Sequence, residues 1–149
     1  MSEVILALDF GGTKATAGVV VNGERTWLAL RRGPLPHGLT AAQDLAHMIG
    51  LARSALDGRR PRAVGVSFGG PVDATAGRVR RSYHVPGWEA VPLADLIASE
   101  FGAPTRIDND GNVAALGEAV FGAGQGCRSL LYLTVSTGVG GGWVFDGKI

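Results

Sequence analysis

The stretch LALDFGGTKATAGVVVNG, Leu6–Gly23, decides how the chain is read. An apolar run, Val4–Leu8, ends at Asp9. Two glycines follow Phe10, and then come Thr13 and Lys14. A short continuous apolar run of this kind suits a strand buried on both faces. Ala17–Val21 is a second β-type run, Asn22-Gly23 is a strong hairpin signal, and Thr26–Leu30 makes a third strand. The chain therefore opens as a three-stranded antiparallel meander. At the first turn, Gly11 and Gly12 lack Cβ atoms and let backbone N–H groups converge on an anion. Thr13 adds a hydroxyl and Lys14 a positive charge. A carboxylate beside such a loop repels phosphate unless a cation bridges them, so Asp9 points to Mg²⁺ held through water. The plain alternative is a hairpin turn with an exposed aspartate.

Downstream of the meander the period changes. Thr40 with Gln43 fits a capping box, and Leu45, Met48, Ile49, Ala52 and Leu56 follow helical spacing. Gly58 and Pro61 mark the end of that helix. Ala63–Phe68 returns to strand, and Gly69-Gly70-Pro71 turns. Leu93, Leu96, Ile97 and Phe101 form a second helical stripe, with Pro92 suited to the first helical turn and Gly102 and Pro104 closing it. Thr105–Ile107 is a short strand. A polar corner, Asp108 to Asn112, leads into a third helix whose Val113, Leu116, Val120 and Phe121 share a face. The order β-β-β-α-β-α-β-α describes a mixed α/β sheet with a meander at one edge. A pure βαβ dinucleotide domain does not open with three consecutive strands.

Bulk properties narrow the function. The chain has 149 residues, 46% hydrophobic and 18% charged, which reads as one globular domain with a real core. A net charge of +1 leaves no electrostatic footprint for nucleic acid, and no basic cluster marks a membrane surface. Cys127 is the only cysteine, so neither an internal disulfide nor a cysteine zinc site can form within the chain. The N-terminus lacks the cationic lead of a signal peptide, and the apolar runs are far shorter than a membrane span. A cytoplasmic protein is the expectation. Glycine is the outlier at 24 residues, a content that fits many tight turns or backbone approaching a ligand.

Part of the opening stretch recurs. LYLTVSTGVGGGWVFDG, Leu131–Gly147, has an apolar run, a polar residue (Thr134), a Gly/Thr turn, a second run and Asp-Gly. Gly18, Asn22 and Gly23 match Gly142, Asp146 and Gly147 at a constant offset, whereas Asp9 matches Thr134 only across a gap. Chance similarity of glycine-rich hairpins is one reading; internal duplication, with a second copy beginning near Ser129, is the other. TVSTGVGGG (Thr134–Gly142) is too glycine-rich for a stable strand corner, and close ligand approach is the expected reason. Two such loops would grip a polyphosphate from both sides.

Asp108-Asn109-Asp110-Gly111-Asn112 sits at a helix entry, where Asp and Asn cap well. One cap suffices, however, and a carboxylate here can also accept a proton from a substrate hydroxyl while Asn holds neighbouring hydroxyls. Both readings stand at this point. Gly65-Val66-Ser67-Phe68-Gly69 matches the nucleophile elbow G-x-S-x-G, which needs a helix immediately after the turn. Gly70-Pro71-Val72-Asp73 carries no helical period, so a hydrolase is disfavoured. His37, His47 and His84 lack metal-ligand spacing, and Trp88 reads as a packing anchor.

Taken together, DFGGTK, GVSFGGPVD, VPGWEAVPL, NDGNVAALGEAVFGAG and TVSTGVGGG resemble, in order and spacing, segments of the ROK family of sugar kinases, repressors and open reading frames. That resemblance spans nearly the whole chain. It implies an actin-like ATPase (ribonuclease H-like) lobe over residues 1–128, followed by the opening hairpin of a second lobe over residues 129–149. It implies an ATP-dependent hexose kinase of glucokinase type, of which residues 1–149 alone are expected to turn over slowly or not at all, the alternative being a non-catalytic sugar-sensing or regulatory protein of the same fold. By the same resemblance Asp110 is the catalytic base, Asn109 binds sugar hydroxyls, and Gly70 approaches the sugar. Asp9, Gly11, Gly12, Thr13 and Lys14, with Thr134, Thr137, Gly138 and Gly140, hold the ATP phosphates and Mg²⁺. The family's glutamate-histidine sugar motif, its zinc site and most of its adenosine pocket would lie beyond Ile149. Zinc is therefore expected only there, and a homo-oligomer only of the full-length protein. No helix-turn-helix precedes Met1, which argues against the repressor branch. Four positions depart from the pattern: Gly69 stands for a usual proline, Gly111 for alanine, His84 for asparagine and Val85 for leucine.

Overall fold

A computed structural model describes residues 3–135 and 139–149. The chain divides into two compact units, Met1–Ile107 and Asp108–Ile149.

The first unit is built on a sheet. Strands β1 (Val4–Phe10), β2 (Lys14–Val21) and β3 (Trp27–Pro34) form the expected antiparallel meander. Helix α1 (Ala41–Leu56) then crosses over to β4 (Pro61–Phe68), which lies parallel to β1. A small hairpin, β5 (Val72–Asp73) with β6 (Arg78–Val79), follows, then α2 (Leu93–Phe101) and β7 (Thr105–Asn109). The strand order is β3-β2-β1-β4-β7. The β5–β6 hairpin was not foreseen, because each arm is two residues and carries no readable period.

Pleating sorts the residues. Val19, Leu6 and Val64 stand in one row across the sheet, Ala17, Leu8 and Val66 in the next, and Ala15, Phe10 and Phe68 in the last. All nine are buried and form the core with Met48, Ala52, Trp88, Leu93 and Ile97. The other face of β1 is only half covered at Ile5 and Ala7 and exposed at Asp9, which corrects the expectation of a strand buried on both faces. The run reads as continuous because Ile5 and Ala7 are apolar even though their face carries no core.

Helix α1 begins with the capping box. The Thr40 side chain accepts from the Gln43 amide, and the Gln43 side chain accepts from the Thr40 amide at 2.9 Å. The helix buries Ala41, Asp44, Met48, Ala52, Ala55 and Leu56. Asp44 is 3% exposed, and its Oδ2 accepts from Trp88 Nε1 at 3.1 Å. Trp88 in turn stands edge-on to Phe10 and Phe68, with ring centroids 5.6 and 5.2 Å away. Burial raises the Asp44 carboxyl above its ordinary value of 3.8, against the opposing pull of the Trp88 hydrogen bond and the neighbouring His47.

The second unit contains α3 (Asp110–Phe121), β8 (Ser129–Val135) and β9 (Val139–Phe145), the last two paired antiparallel. The compact units thus divide at 107/108, whereas the sequence places a boundary at 128/129. The division falls earlier because α3 packs on the hairpin. An ideal Cβ on Gly142 would lie 2.8 Å from Ala115 Cβ, from Asn112 Cα and from the Gly111 carbonyl oxygen. One on Gly141 would lie 2.2 Å from the Tyr132 carbonyl oxygen. These two glycines make room for protein, not for a ligand as the sequence suggested. The hairpin repeat holds in part. Asp146 and Gly147 both adopt positive φ, and Phe145 and Lys148 exchange two hydrogen bonds, a primed two-residue turn. In the opening hairpin only Gly23 is left-handed, and Glu24 N–H donates to Val21 O.

Two measurements check this packing. Because the native Asp44 carboxyl holds its proton more tightly than the unfolded chain does, stability falls as pH rises from 3.8 through the raised native value. Asp44→Asn keeps an acceptor for Trp88 and has no charge to bury. Its stability advantage in urea titrations should therefore grow over that window and then level off; an advantage independent of pH would refute the burial argument. Gly142→Ala should cost about 1–3 kcal/mol through overpacking. Gly117→Ala, in α3 with nothing within 4 Å of its ideal Cβ, should stabilise by about 0.5–1 kcal/mol. Equal signs in thermal melts would refute the packing account.

Candidate functional site

In the first unit the strands run right up to the opening turn. Phe10 pairs with Ala15, and Gly11 N–H donates to Lys14 O at 3.2 Å. An ideal Cβ on Gly11 would lie 2.7 Å from that oxygen, so the turn closes only on glycine. The Gly11 amide is thereby engaged, but those of Gly12 and Thr13 make no hydrogen bond among the described residues. Both residues are exposed, as is Lys14, which makes no ion pair among the described residues. Two amides without partners among the described residues and an exposed ammonium at one tight turn are the groups that an anion-binding nest uses.

Asp9 sits one residue before this turn's last strand position, on the exposed face of the sheet. Its cross-strand neighbours are Thr16 on β2 and Ser67 on β4. Ser67 Oγ donates to Asp9 Oδ1 at 2.8 Å, while Oδ2 has no partner among the described residues. A free carboxylate oxygen beside a phosphate-type turn fits Mg²⁺, which keeps several waters and takes one or two protein carboxylates plus substrate phosphates. Asp9 is the residue that would hold it. No group of three or more His, Cys, Asp or Glu gathers among the described residues. Ser67 lies inside β4, with β5 rather than a helix after the turn, so the nucleophile elbow lacks its required context.

The loop after β4 is laced to the same turn. Gly69 N–H donates to Phe10 O at 2.9 Å, and Gly70 N–H donates to Phe68 O at 2.8 Å. Proline, usual at position 69 in the resembling family, has no N–H to give; glycine here supplies a tie between the ends of β1 and β4. Gly70 is buried, and an ideal Cβ there would lie 2.8 Å from the Arg81 carbonyl oxygen. In the sequence His84 reads as a histidine without metal-ligand spacing and as a departure from the resembling family's asparagine. Its ring lies over Gly12, whose ideal Cβ would come within 2.6 Å of the ring Cδ2. Ser82 Oγ holds the His84 segment by accepting from the amides of His84 and Val85 at 3.2 and 3.1 Å. No local pattern links positions 12 and 84, so sequence reading had no signal for this contact.

In the second unit the polar corner resolves into separate roles. Asp108 Oδ1 accepts from the Asn109 amide at 2.7 Å and from Asn112 Nδ2 at 2.8 Å, which pins the helix entry. Asn109 is the N-cap, its Oδ1 accepting from Gly111 N–H at 3.0 Å. Asp110 Oδ1 accepts from the same amide at 2.8 Å. Asp110 is exposed, and its Oδ2 has no partner among the described residues. Asp108 and Asp110 are thus each engaged through Oδ1 and each keep an Oδ2 without a partner among the described residues; Asp110 is the exposed one of the two, Asp108 only partly so. Gly111 is glycine for space, since an ideal Cβ would lie 2.7 Å from Gly141 O. Thr134 pairs with Gly140 across the hairpin. Gly140 is exposed, and an ideal Cβ there meets nothing closer than Thr134 Cγ2 at 3.9 Å. Gly140 thus remains open where Gly141 and Gly142 are filled. Thr137 and Gly138 lie outside the described residues.

Among the described residues no helix is long and apolar enough to cross a membrane.

Known proteins are similar to this chain in sequence and fold over most of its length. A glucokinase from Thermotoga maritima is 34% identical over 148 residues, covering 97% of this chain and 45% of the relative. The crystal structure of a ROK hexokinase from Thermus thermophilus superposes with a TM-score of 0.84 at 37% identity, covering 97% of this chain and 48% of that one. A ROK family glucokinase from Streptomyces griseus, solved in complex with glucose and AMPPNP, gives a TM-score of 0.85 at 34% identity, over 97% of this chain and 45% of that one. The chain therefore spans less than half the length of these relatives. Its fold is the actin-like ATPase fold of the ROK sugar kinases. Residues 5–149 match the ROK family, and the chain belongs to that family.

Proposed function

We propose that the chain serves ATP-dependent phosphorylation of a hexose hydroxyl, the reaction of a glucokinase-type sugar kinase. The observation that carries this reading is the opening turn. It gathers two amides without partners among the described residues (Gly12 and Thr13), the exposed Lys14 and, beside it, a half-free Asp9 carboxylate, which supports a reading as a site for a phosphate–cation pair. Relatives 34% identical over nearly the whole chain are named glucokinases, and one 34% identical over 93 residues is named a putative fructokinase, which favours phosphoryl transfer to a sugar over other phosphate chemistry.

In this reading Gly11 closes the turn, Gly12 and Thr13 donate their amides to phosphate oxygens, and Lys14 offsets their charge. Asp9 holds Mg²⁺ through water, and that ion, when bound, neutralises charge developing on the transferring phosphoryl group. Thr134, Thr137, Gly138 and Gly140 are assigned to the phosphates on the second hairpin; open space at Gly140 supports its inclusion. Gly70, whose place tolerates no side chain, offers backbone to the sugar, and Asn109 contacts sugar hydroxyls. The Asp110 carboxylate accepts the proton of the attacking hydroxyl, using the oxygen that capping leaves unused. Phosphoryl transfer asks mainly for positioning and charge neutralisation, which backbone turns and one carboxylate supply. We assign a homo-oligomeric state only to a protein of the relatives' full length.

Asp110→Asn tests the assignment. A coupled ADP assay with a panel of hexoses should show turnover lowered by about 10²–10⁴-fold, the range of a lost general base. Calorimetric titration should show hexose affinity retained. ADP release as fast as before the substitution would remove Asp110 as the base. Hexose binding with no transfer by either form is the outcome that favours the sugar-sensing alternative.

A further inference from the structure

Ser67 is given no role of its own in the proposed reaction. Yet it is the one side chain hydrogen-bonded to Asp9 among the described residues. The contact is built by the sheet and not by a chance rotamer. Asp9 and Ser67 are register partners on the parallel strands β1 and β4, and successive side chains alternate between faces. Both therefore emerge on the same face, side by side. Each is followed by a core phenylalanine, Phe10 or Phe68, packed against Trp88. The two strand ends are further joined by the Gly69 N–H to Phe10 O hydrogen bond. The serine hydroxyl is thus held at a fixed place beside the carboxylate.

A carboxylate accepts at both oxygens, and a donor on one of them selects which oxygen stays free and how the group is turned. Here the donor takes Oδ1 and leaves Oδ2. On the neighbouring strand, Thr16 Oγ1 accepts from Arg32 Nε at 3.3 Å and makes no hydrogen bond to Asp9 among the described residues. Ser67 is the side on which Asp9 is oriented.

We infer that Ser67 is a positioning residue for cation binding: its hydroxyl holds Asp9 Oδ1 so that Oδ2 faces a hydrated Mg²⁺ accompanying the phosphates. The inference rests on the proposed reading of the opening turn. Orientation by an outer hydrogen bond of this type is typically worth on the order of tenfold in metal affinity.

The test is calorimetric titration of ADP into the chain at a series of Mg²⁺ concentrations, repeated with Ser67→Ala, Ser67→Thr, Asp9→Asn and the double variant. The Mg²⁺ concentration needed for half-maximal tightening of ADP should rise about tenfold in Ser67→Ala. It should be restored in Ser67→Thr, which keeps the hydroxyl on a strand-compatible side chain. Affinity for ADP without Mg²⁺ should not change. In the Asp9→Asn background, Ser67→Ala should add nothing. An unchanged Mg²⁺ requirement in Ser67→Ala would overturn the inference alone, as would an equal loss with and without Mg²⁺. Absence of Mg²⁺-dependent ADP binding in the unsubstituted chain would overturn the nucleotide reading, and the inference with it.

Discussion

The hydrogen bond from Trp88 Nε1 to the buried Asp44 carboxylate is the constraint on which the first unit's loops depend. Asp44 belongs to α1, and Trp88 lies on the long segment before α2. Their contact, with the Ala41 N–H to Pro86 O bond at 2.9 Å, fastens that segment to the start of the helix. Trp88 then presents its ring edge-on to Phe10 and Phe68. Such aromatic pairs contribute about 0.5–1.5 kcal/mol each beyond their burial. More to the point, Phe10 and Phe68 are the last residues of β1 and β4, immediately before Gly11-Gly12 and Gly69-Gly70. One indole thus sets the position of both glycine turns. Asp44 is costly to bury, and the indole N–H with the nearby His47 partly offsets that cost.

The pleat of the sheet divides labour between its faces. Leu6, Leu8 and Phe10 enter the core; Asp9 emerges on the other side with Thr16 and Ser67 as lateral neighbours. A register slip of one residue would bury the aspartate and expose the phenylalanine. Core formation and placement of the acidic group are therefore one event. In the second unit the helix entry works similarly. Asp108 and Asn112 pin the corner and Asn109 caps it, which holds Asp110 in place with an oxygen to spare.

Most of the fold was legible because periodicity reports burial. The meander, the capped α1, α2 and the element order follow from spacing and from turn residues, whereas in α3 the apolar stripe Val113, Leu116, Val120 and Phe121 is exposed and Gly111 and Ala115 are the buried positions. The β5–β6 hairpin was not legible, being too short to carry a period. Asp44 was not legible either, since a charge on a helix flank reads as solvated until its indole partner is known. The glycines were the hardest to assign. Gly12, Gly140, Gly141 and Gly142 look alike in sequence, but Gly12 lies under His84, Gly140 is open, and Gly141 and Gly142 are filled by neighbouring backbone and α3. The same holds for the Asx corner, where Asp108 ties Asn109 and Asn112 while Asn109 and Asp110 share the Gly111 amide.

Residue order alone determined the strand and helix pattern, the strand-to-turn placement of Asp9 before two glycines, and the family resemblance carried by five segments. These depend on local stereochemistry and on the alternation of apolar side chains, which neighbours along the chain already express. Tertiary structure decided which atoms are used and which remain available. Pairing of β1 with β4 put Ser67 on Asp9 Oδ1 and left Oδ2; closure of the opening turn engaged the Gly11 amide and left those of Gly12 and Thr13. Hydrogen-bond partners separated by about sixty residues are set by register and packing, and no local pattern encodes them.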